Sequence, residues 1–339
     1  MKKYNVAVVG VGAVGIEMLR CLKQRNFPVG SLRVFARSAR EITVDGQTYS
    51  VEAISPEGFN GVNIALFAGT EGERGAAVTY AREANERGAI VIDNGADFRM
   101  DPKVPLVVPE VNPKDVRKHK GIIANPNCST IQMVVALWPI YKKSGIRRVI
   151  VTTLQASSGA GRGAVDQLRE EMMQIAAGGY GKLHAQAANK VMPQQLGYNV
   201  FPHIGGFTDY DYTNEEWKLV KESHKIMHDD KIKISATTVR VPVRTGHSES
   251  VYIETQDTIA PEKARFALSK APGIVLMDDP KSNLYPMPKD VEGKDEVFVG
   301  RIRKDPFVKN GLWLWVVADN LRKGAATNAV QIAECVISK

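Results

Sequence analysis

A chain of 339 residues with 44% hydrophobic and 24% charged side chains is long enough for two domains with cores of their own, and ordinary for a globular protein. No apolar run reaches the ~20 residues of a membrane-spanning helix, and Met1-Lys2-Lys3-Tyr4 passes directly into a strand pattern without a secretory apolar segment. The net charge of +8 is scattered; the densest basic runs, 114–120 and 301–304, are short and lack interleaved aromatics, which argues against nucleic acid, and a positive balance serves equally well to attract a polyanionic cofactor and an anionic substrate. Cys21, Cys128 and Cys335 make an odd count with no CxxC. That argues against a disulfide framework and a thiolate zinc site, and fits a reducing cytosol.

Asn5-Val6-Ala7-Val8-Val9 is the continuous apolar run of a strand covered on both faces. It leads into Gly10-Val11-Gly12-Ala13-Val14-Gly15 and a helix over 16–25. A GxGxxG between strand and helix permits a tight turn, and close approach to a dinucleotide pyrophosphate facing the helix N-terminus. At the end of the next strand, 32–36, an NAD site carries an acid for the ribose 2′-hydroxyl. Here Arg37-Ser38-Ala39-Arg40 stands instead, and a cation with a hydroxyl favours a 2′-phosphate, hence NADP. A solvated basic loop is the alternative at that point. Residues 41–57 read as a hairpin insertion turning at Asp45-Gly46. Strand 62–68, a glycine loop, helix 75–87 and strand 89–93 follow, and such alternation gives a parallel doubly wound sheet. Arg99 follows a strand C-terminus, the ligand edge of these sheets, and is a candidate anion ligand; 106–112 reads as a further strand.

Strand 121–124 then runs into Asn125-Pro126-Asn127-Cys128-Ser129-Thr130 and an apolar helix from 131. Cys128 thus sits at the first turn of a helix, where unpaired N–H groups and the dipole stabilise a thiolate and can receive an oxyanion. A small buried structural cysteine fits the same position.

The texture changes beyond Cys128. Strand 148–154 ends at Gln155 and a small-residue loop, Ser157-Ser158-Gly159-Ala160-Gly161, suited to close backbone approach to a ligand. A helix spans 166–177 and breaks at Gly178-Gly179, and a less regular stretch reaches Asp211. In the helix 215–227 Glu215 and Lys218 share a face. Residues 232–243 alternate like a half-buried strand containing Arg240, Gly246-His247 follows, and 250–255 is another strand. A helical region over 319–338 ends the chain.

These motifs together resemble the aspartate-semialdehyde dehydrogenase family over almost the whole chain. The resemblance is carried by the N-terminal glycine fingerprint, Asn125 to Thr130, Gln155 with Ser158-Gly159-Ala160-Gly161, and Glu215-Glu216-Trp217-Lys218. Arg240-Val241-Pro242-Val243, Gly246-His247-Ser248-Glu249 and Val299-Gly300-Arg301-Ile302-Arg303 complete it. It implies a Rossmann-type, doubly wound α/β domain over 1–127, completed by 319–339. It further implies an α+β catalytic and dimerisation domain with a mixed sheet over 128–318, assembled as a homodimer or homotetramer. By the same resemblance Cys128 is the nucleophile, His247 the acid–base partner and Gln155 an orienting residue. Arg240 and Glu215 hold the substrate carboxylate and ammonium, Arg99 and Lys218 the phosphate, with Asn127 beside them. NADP is held by Gly10, Gly12, Ala13, Val14, Gly15, Arg37, Ser38, Ser158, Gly159 and Asn320. The chain departs from the family after Phe67, where a Ser/Gly/Ala-rich cofactor loop is replaced by Ala68-Gly69-Thr70-Glu71-Gly72-Glu73-Arg74.

The implied chemistry is the reduction of aspartyl phosphate to the semialdehyde, in biosynthesis of lysine, threonine, methionine and diaminopimelate. A thiolate divides this into acyl transfer with loss of phosphate, then reduction of the thioester by hydride from NADPH, with His247 protonating the collapsing intermediate. An N-acetylglutamyl-phosphate reductase or a glyceraldehyde-3-phosphate dehydrogenase shares that logic, though Glu215 argues for a free amino group. A cysteine hydrolase has no use for the first 40 residues. A non-catalytic Rossmann relative acting as a binding protein is expected to lose the cysteine or the histidine, and this chain has both.

Overall fold

The computed structural model describes residues 2–69, 75–178 and 191–338; the acidic stretch Thr70 to Arg74 and Gly179 of the expected helix break lie outside them. The chain divides into two compact units, Met1–Ile131 with Lys225–His228 and Leu321–Lys339, and Gln132–His224 with Asp229–Asn320. Each has its own sheet. Among the described residues no helix is long and apolar enough to cross a membrane.

In the first unit the elements are β1 (Tyr4–Val9), α1 (Ala13–Gln24), β2 (Val29–Ala36), β3 (Arg40–Val44), β4 (Gln47–Ala53), β5 (Ile64–Phe67), α2 (Ala76–Glu86), β6 (Ile90–Asp93) and β7 (Ile122–Ala124). They form a seven-stranded sheet in the order β3-β4-β2-β1-β5-β6-β7, parallel except for the β3–β4 hairpin. Strand alternation feeds two cores. Val6, Val8, Ile64 and Leu66 pack with Met18, Leu19 and Leu22 of α1 and with Ala329, Val330 and Ala333 of the C-terminal helix Thr327–Ile337. Ala7, Val9, Ala65 and Phe67 pack with the small stripe Ala77, Ala81, Ala84 of α2. Burial on both faces is why these strands read as continuous apolar runs.

The glycine fingerprint starts its helix at Ala13, three residues earlier than the apolar pattern suggests. The expected strand over 106–112 reduces to a single bridge, Leu106 to Ala124, followed by a turn. Pro105 and Pro109 bracket it, and proline withholds the N–H a ladder needs. The expected helix over 319–338 also starts late: a π-helical turn, Arg322–Ala326, precedes Thr327.

That turn buries Lys323 completely. Its Nζ donates to Glu110 Oε2 at 2.7 Å, Asn328 Oδ1 at 3.0 Å and Gln331 Oε1 at 2.6 Å. Burial raises the Glu110 carboxyl, but the Lys323 charge and hydrogen bond outweigh it and hold Glu110 below its ordinary value. Lys323→Met leaves that carboxylate buried without its cation, and should cost about 3–5 kcal/mol in urea unfolding. The double variant with Glu110→Gln should recover most of the loss; a single-variant loss under ~1 kcal/mol would show the pair to be dispensable.

In the second unit α3 (Cys128–Ser144), which starts in the first, leads to β8 (Ile146–Gln155), α4 (Arg162–Ala176), α5 (Asn214–Met227), β9 (Lys233–Arg240), β10 (His247–Thr255), α6 (Pro261–Ser269), β11 (Ile274–Leu276), α7 (Pro288–Val291), β12 (Val297–Lys304) and β13 (Gly311–Ala318). The sheet order is β11-β12-β13-β10-β8-β9. It is mixed: β8–β9 and β11–β12 are parallel, the other pairs antiparallel.

Candidate active site

In the first unit, Gly10 turns the chain with φ +99°, and its N–H donates to Phe35 O at 2.8 Å, joining the ends of β1 and β2. A Cβ on Gly15 would lie 1.9 Å from Gly10 O, so no other residue fits, whereas a Cβ on Gly12 would meet nothing within 4 Å. Gly12 caps α1 with no side chain, and no acid lies in the first turn. The N–H groups around Ala13 and Val14 therefore lack intrahelical acceptors, which suits a pyrophosphate. Arg37 and Ser38 are exposed at the end of β2, on the same sheet edge as Gly10. Arg40 Nη1 donates to Ser38 O and Oγ, both at 3.3 Å, bringing a second cation to that hydroxyl.

Arg99 is buried, not a loop-surface residue: its Nε donates to Asn125 O at 2.9 Å and its Nη2 to Asn94 O at 2.8 Å. Lys225 fixes the same loop, donating to the carbonyls of Arg99 at 2.7 Å and of Asp101 and Val104 at 2.8 Å. Asn125 Nδ2 donates to Asn94 Oδ1 at 2.6 Å, so Arg99 is tied to the segment that delivers Cys128. Cys128 is half-buried at the first position of α3. Asn127 is the cap of that helix: its Oδ1 accepts from Ser129 N at 3.0 Å and Thr130 N at 3.3 Å. Those two donors are thereby used in the helix start, and an oxyanion there draws on other groups.

In the second unit, register assembles the site. Gln155 ends β8 opposite Arg240 at the end of β9, and His247 opens β10 on the other side of β8, with Ser248 paired to Leu154. Three neighbouring strands thus bring residues distant in sequence to one sheet edge. Gln155 Nε2 donates to Glu215 Oε1 at 3.3 Å, and Lys218 Nζ pairs with Glu215 Oε2 at 3.3 Å from the first turns of α5. Arg240 Nη1 donates to Ala156 O at 2.6 Å. The same peptide's neighbour, Ala156 N–H, donates to His247 Nδ1 at 3.1 Å. With Nδ1 an acceptor, the proton of a neutral His247 lies on Nε2, which meets no partner among the described residues. Burial, with the Arg240 charge beside it, pushes His247 down to about 3 against the opposing pull of Glu215. It is a neutral imidazole with a committed acceptor and an available donor.

Gly159 passes close to that ring: a Cβ there would lie 3.0 Å from His247 Cε1 and Nε2 and 3.4 Å from Arg240 Nη1. Ser158 and Asn320 are joined, Asn320 Nδ2 donating to Ser158 Oγ at 2.9 Å while Asn320 Oδ1 accepts from Gly246 N at 2.9 Å. Asn320 therefore braces the small-residue loop and the entry to His247. The sequence pattern does not single out Lys225, the Ala156 peptide, Gln132 or Glu249. Of these only Glu249 carried a visible signal, an acid in the alternating stripe 247, 249, 251, 253 whose other members beyond the histidine are Val and Ile.

The pattern defining the family described as semialdehyde dehydrogenase, NAD binding domain, matches residues 5–119, and that of the semialdehyde dehydrogenase dimerisation domain matches 137–323. The aspartate-semialdehyde dehydrogenase of Aquifex aeolicus is 53% identical over 99% of this chain and 98% of its own. That of Bacillus subtilis is 51% identical over 97% and 96%. Among solved structures, aspartate semialdehyde dehydrogenase II from Vibrio cholerae superposes with TM-score 0.92 at 44% identity, covering 99% of both chains. The same enzyme complexed with ASA superposes equally, at 43% identity.

Proposed function

Because the chain belongs to the aspartate-semialdehyde dehydrogenase family, we propose that Cys128 is its nucleophile and that His247 serves the reacting centre as a neutral proton donor. The reaction is the NADPH-dependent reductive dephosphorylation of L-aspartyl-4-phosphate to L-aspartate 4-semialdehyde, in amino-acid biosynthesis. The observation that carries the residue assignment is the sheet edge where Gln155, Arg240 and His247 meet Glu215 and Lys218. A cationic fork, a carboxylate and an ammonium in one place match a substrate bearing a carboxylate, an ammonium and a phosphate.

Cys128 Sγ attacks the acyl carbon; the C–S bond forms, the C–O bond to phosphate breaks, and phosphate departs with the electron pair. Arg99 and Lys218 offset its charge. When bound, NADPH supplies the hydride that converts the thioester to the aldehyde level. His247 Nε2–H hydrogen-bonds to the tetrahedral oxyanion so formed and keeps its proton; the oxyanion then re-forms the C=O bond of the aldehyde as the C–S bond breaks, and the electron pair returns to sulfur as the thiolate. Gln155 and Glu215 orient the amino end of the substrate, and Arg240 takes its carboxylate. In the reverse direction phosphate releases the acyl group. Residues 1–127 with 319–339 serve as the nucleotide-binding domain and 128–318 as the catalytic domain, two or four copies assembling through the latter, in the cytoplasm.

Phosphate-dependent reduction of NADP with aspartate semialdehyde tests this reading. Equal turnover with and without phosphate would refute it. Arg37 and Ser38, with Arg40 beside them, are assigned to the 2′-phosphate. Arg37→Asp should weaken NADP on the order of 1–3 kcal/mol by replacing a charge-assisted contact with repulsion, leaving NAD affinity unchanged. Equal weakening of both cofactors in a binding titration would move the 2′-phosphate elsewhere.

A further inference from the structure

Strand β10 sets His247, Glu249, Val251 and Ile253 on one face, all fully buried. Glu249 is the anomaly. Neither carboxyl oxygen meets a donor among the described residues. The side chain of Gln132, from α3, lies against the carboxyl. Its Nε2 is committed to His247 O at 3.3 Å, and its Oε1 meets no donor either. As an anion Glu249 would be a buried charge without a counter-ion, beside another acceptor, the costliest state open to a carboxyl. One proton resolves both orphans, because a carboxylic O–H is the donor that Gln132 Oε1 lacks. Burial acts in the same direction and is the larger effect, pushing this carboxyl well above the ordinary range, while the Gln132 side-chain amide beside it, a hydrogen-bonding neighbour, pulls the other way.

We propose that Glu249 is a proton-bearing positioning residue for His247: its O–H donates to Gln132 Oε1, and Gln132 Nε2 donates to the His247 carbonyl. The relay rests on the role given to His247 above. It anchors the first residue of β10, and so keeps Nδ1 on the Ala156 N–H and Nε2–H presented as the donor. An amide in place of the acid keeps the shape and an N–H donor; a methyl keeps neither.

The infrared spectrum of the wild-type protein at neutral pH should contain the carbonyl stretch of a protonated, buried carboxyl, and Glu249→Gln should remove it. Glu249→Ala should lower kcat about tenfold with the aldehyde KM unchanged, since losing one partner of a buried hydrogen bond leaves the other unsatisfied. Glu249→Gln should restore most of that loss. Gln132→Met should reproduce it, and the double variant Gln132→Met/Glu249→Ala should lose no more than either alone, because both break one relay. Absence of the carboxyl stretch, or equal losses in Glu249→Gln and Glu249→Ala, would overturn the proposal, and the infrared result stands even where the Ala variant folds poorly. Undiminished turnover in His247→Gln with the stretch still present would instead overturn the role of His247 and leave the protonated acid in place.

Discussion

Cys128→Ser should abolish the single burst of NADPH expected of the wild-type protein when it is mixed with aspartate semialdehyde and NADP in the absence of phosphate. With Cys128 as the proposed nucleophile, the thioester should form once per site and then wait, because the acyl group would leave by transfer to phosphate and only slow hydrolysis would replace it. The position of Cys128 at the head of α3 supplies the dipole that favours a thiolate. A serine hydroxyl in that place is far less ionised, and His247, with Nδ1 accepting from Ala156 N–H, holds no basic nitrogen ready to take its proton. The loss in steady-state rate should be roughly 10³–10⁶-fold, the scale for removing a covalent nucleophile. Mass spectrometry of the stalled wild-type protein should find the aspartyl adduct on the peptide containing Cys128. An adduct on Cys21 or Cys335, or steady turnover in Cys128→Ser, would return Cys128 to a structural part.

His247→Gln should slow the burst about 10²–10⁴-fold, the usual contribution of a positioned proton donor, without weakening cofactor binding. The histidine also predicts a pH signature. Its folded value of about 3 lies below the 6.5 of an ordinary histidine, so between those values the unfolded chain binds a proton that the folded chain does not. Stability from this group is therefore complete above about pH 6.5 and falls as the pH drops toward 3. Thermal unfolding followed across that interval should decline less steeply in His247→Gln than in the wild-type protein. Activity should behave differently. A histidine that stays neutral over the working range contributes no acid limb to kcat/KM near its ordinary value. A limb near that value, present in the wild type and lost in His247→Gln, would show the imidazole titrating normally and would remove the neutral-donor mechanism.

Departures from the local reading have physical causes. The strands β12 and β13 are not evident from alternation, because Arg301 and Arg303 break the apolar pattern of one and the other is apolar on both faces. Strand β10 starts at His247 and not at Ser250, since a histidine and a glutamate disguise a fully buried stripe. Arg99 and Arg240 look like loop and strand cations in sequence, yet both are buried, held by carbonyls that come from other segments.

Features that depend on neighbours along the chain are legible from the residues alone. The alternation of apolar strands and helices dictates a doubly wound sheet. The spacing Gly10, Gly12, Gly15 dictates a turn that only glycine can close, because the obstructing atom at Gly15 is the carbonyl of Gly10, five residues away. The Asn127-Cys128 step dictates a capped helix start with the thiol in its first turn. Strand register, a long-range property, governs the rest. Gln155, Arg240 and His247 become neighbours through the pairing of β8 with β9 and β10, and nothing in their local surroundings encodes which residues end up opposite. The tautomer of His247, its suppressed basicity and the unanswered carboxyl of Glu249 follow from burial among residues up to 117 positions away, Gln132 among them. Burial is a property of the assembled sheet and helix, and no window of sequence contains it.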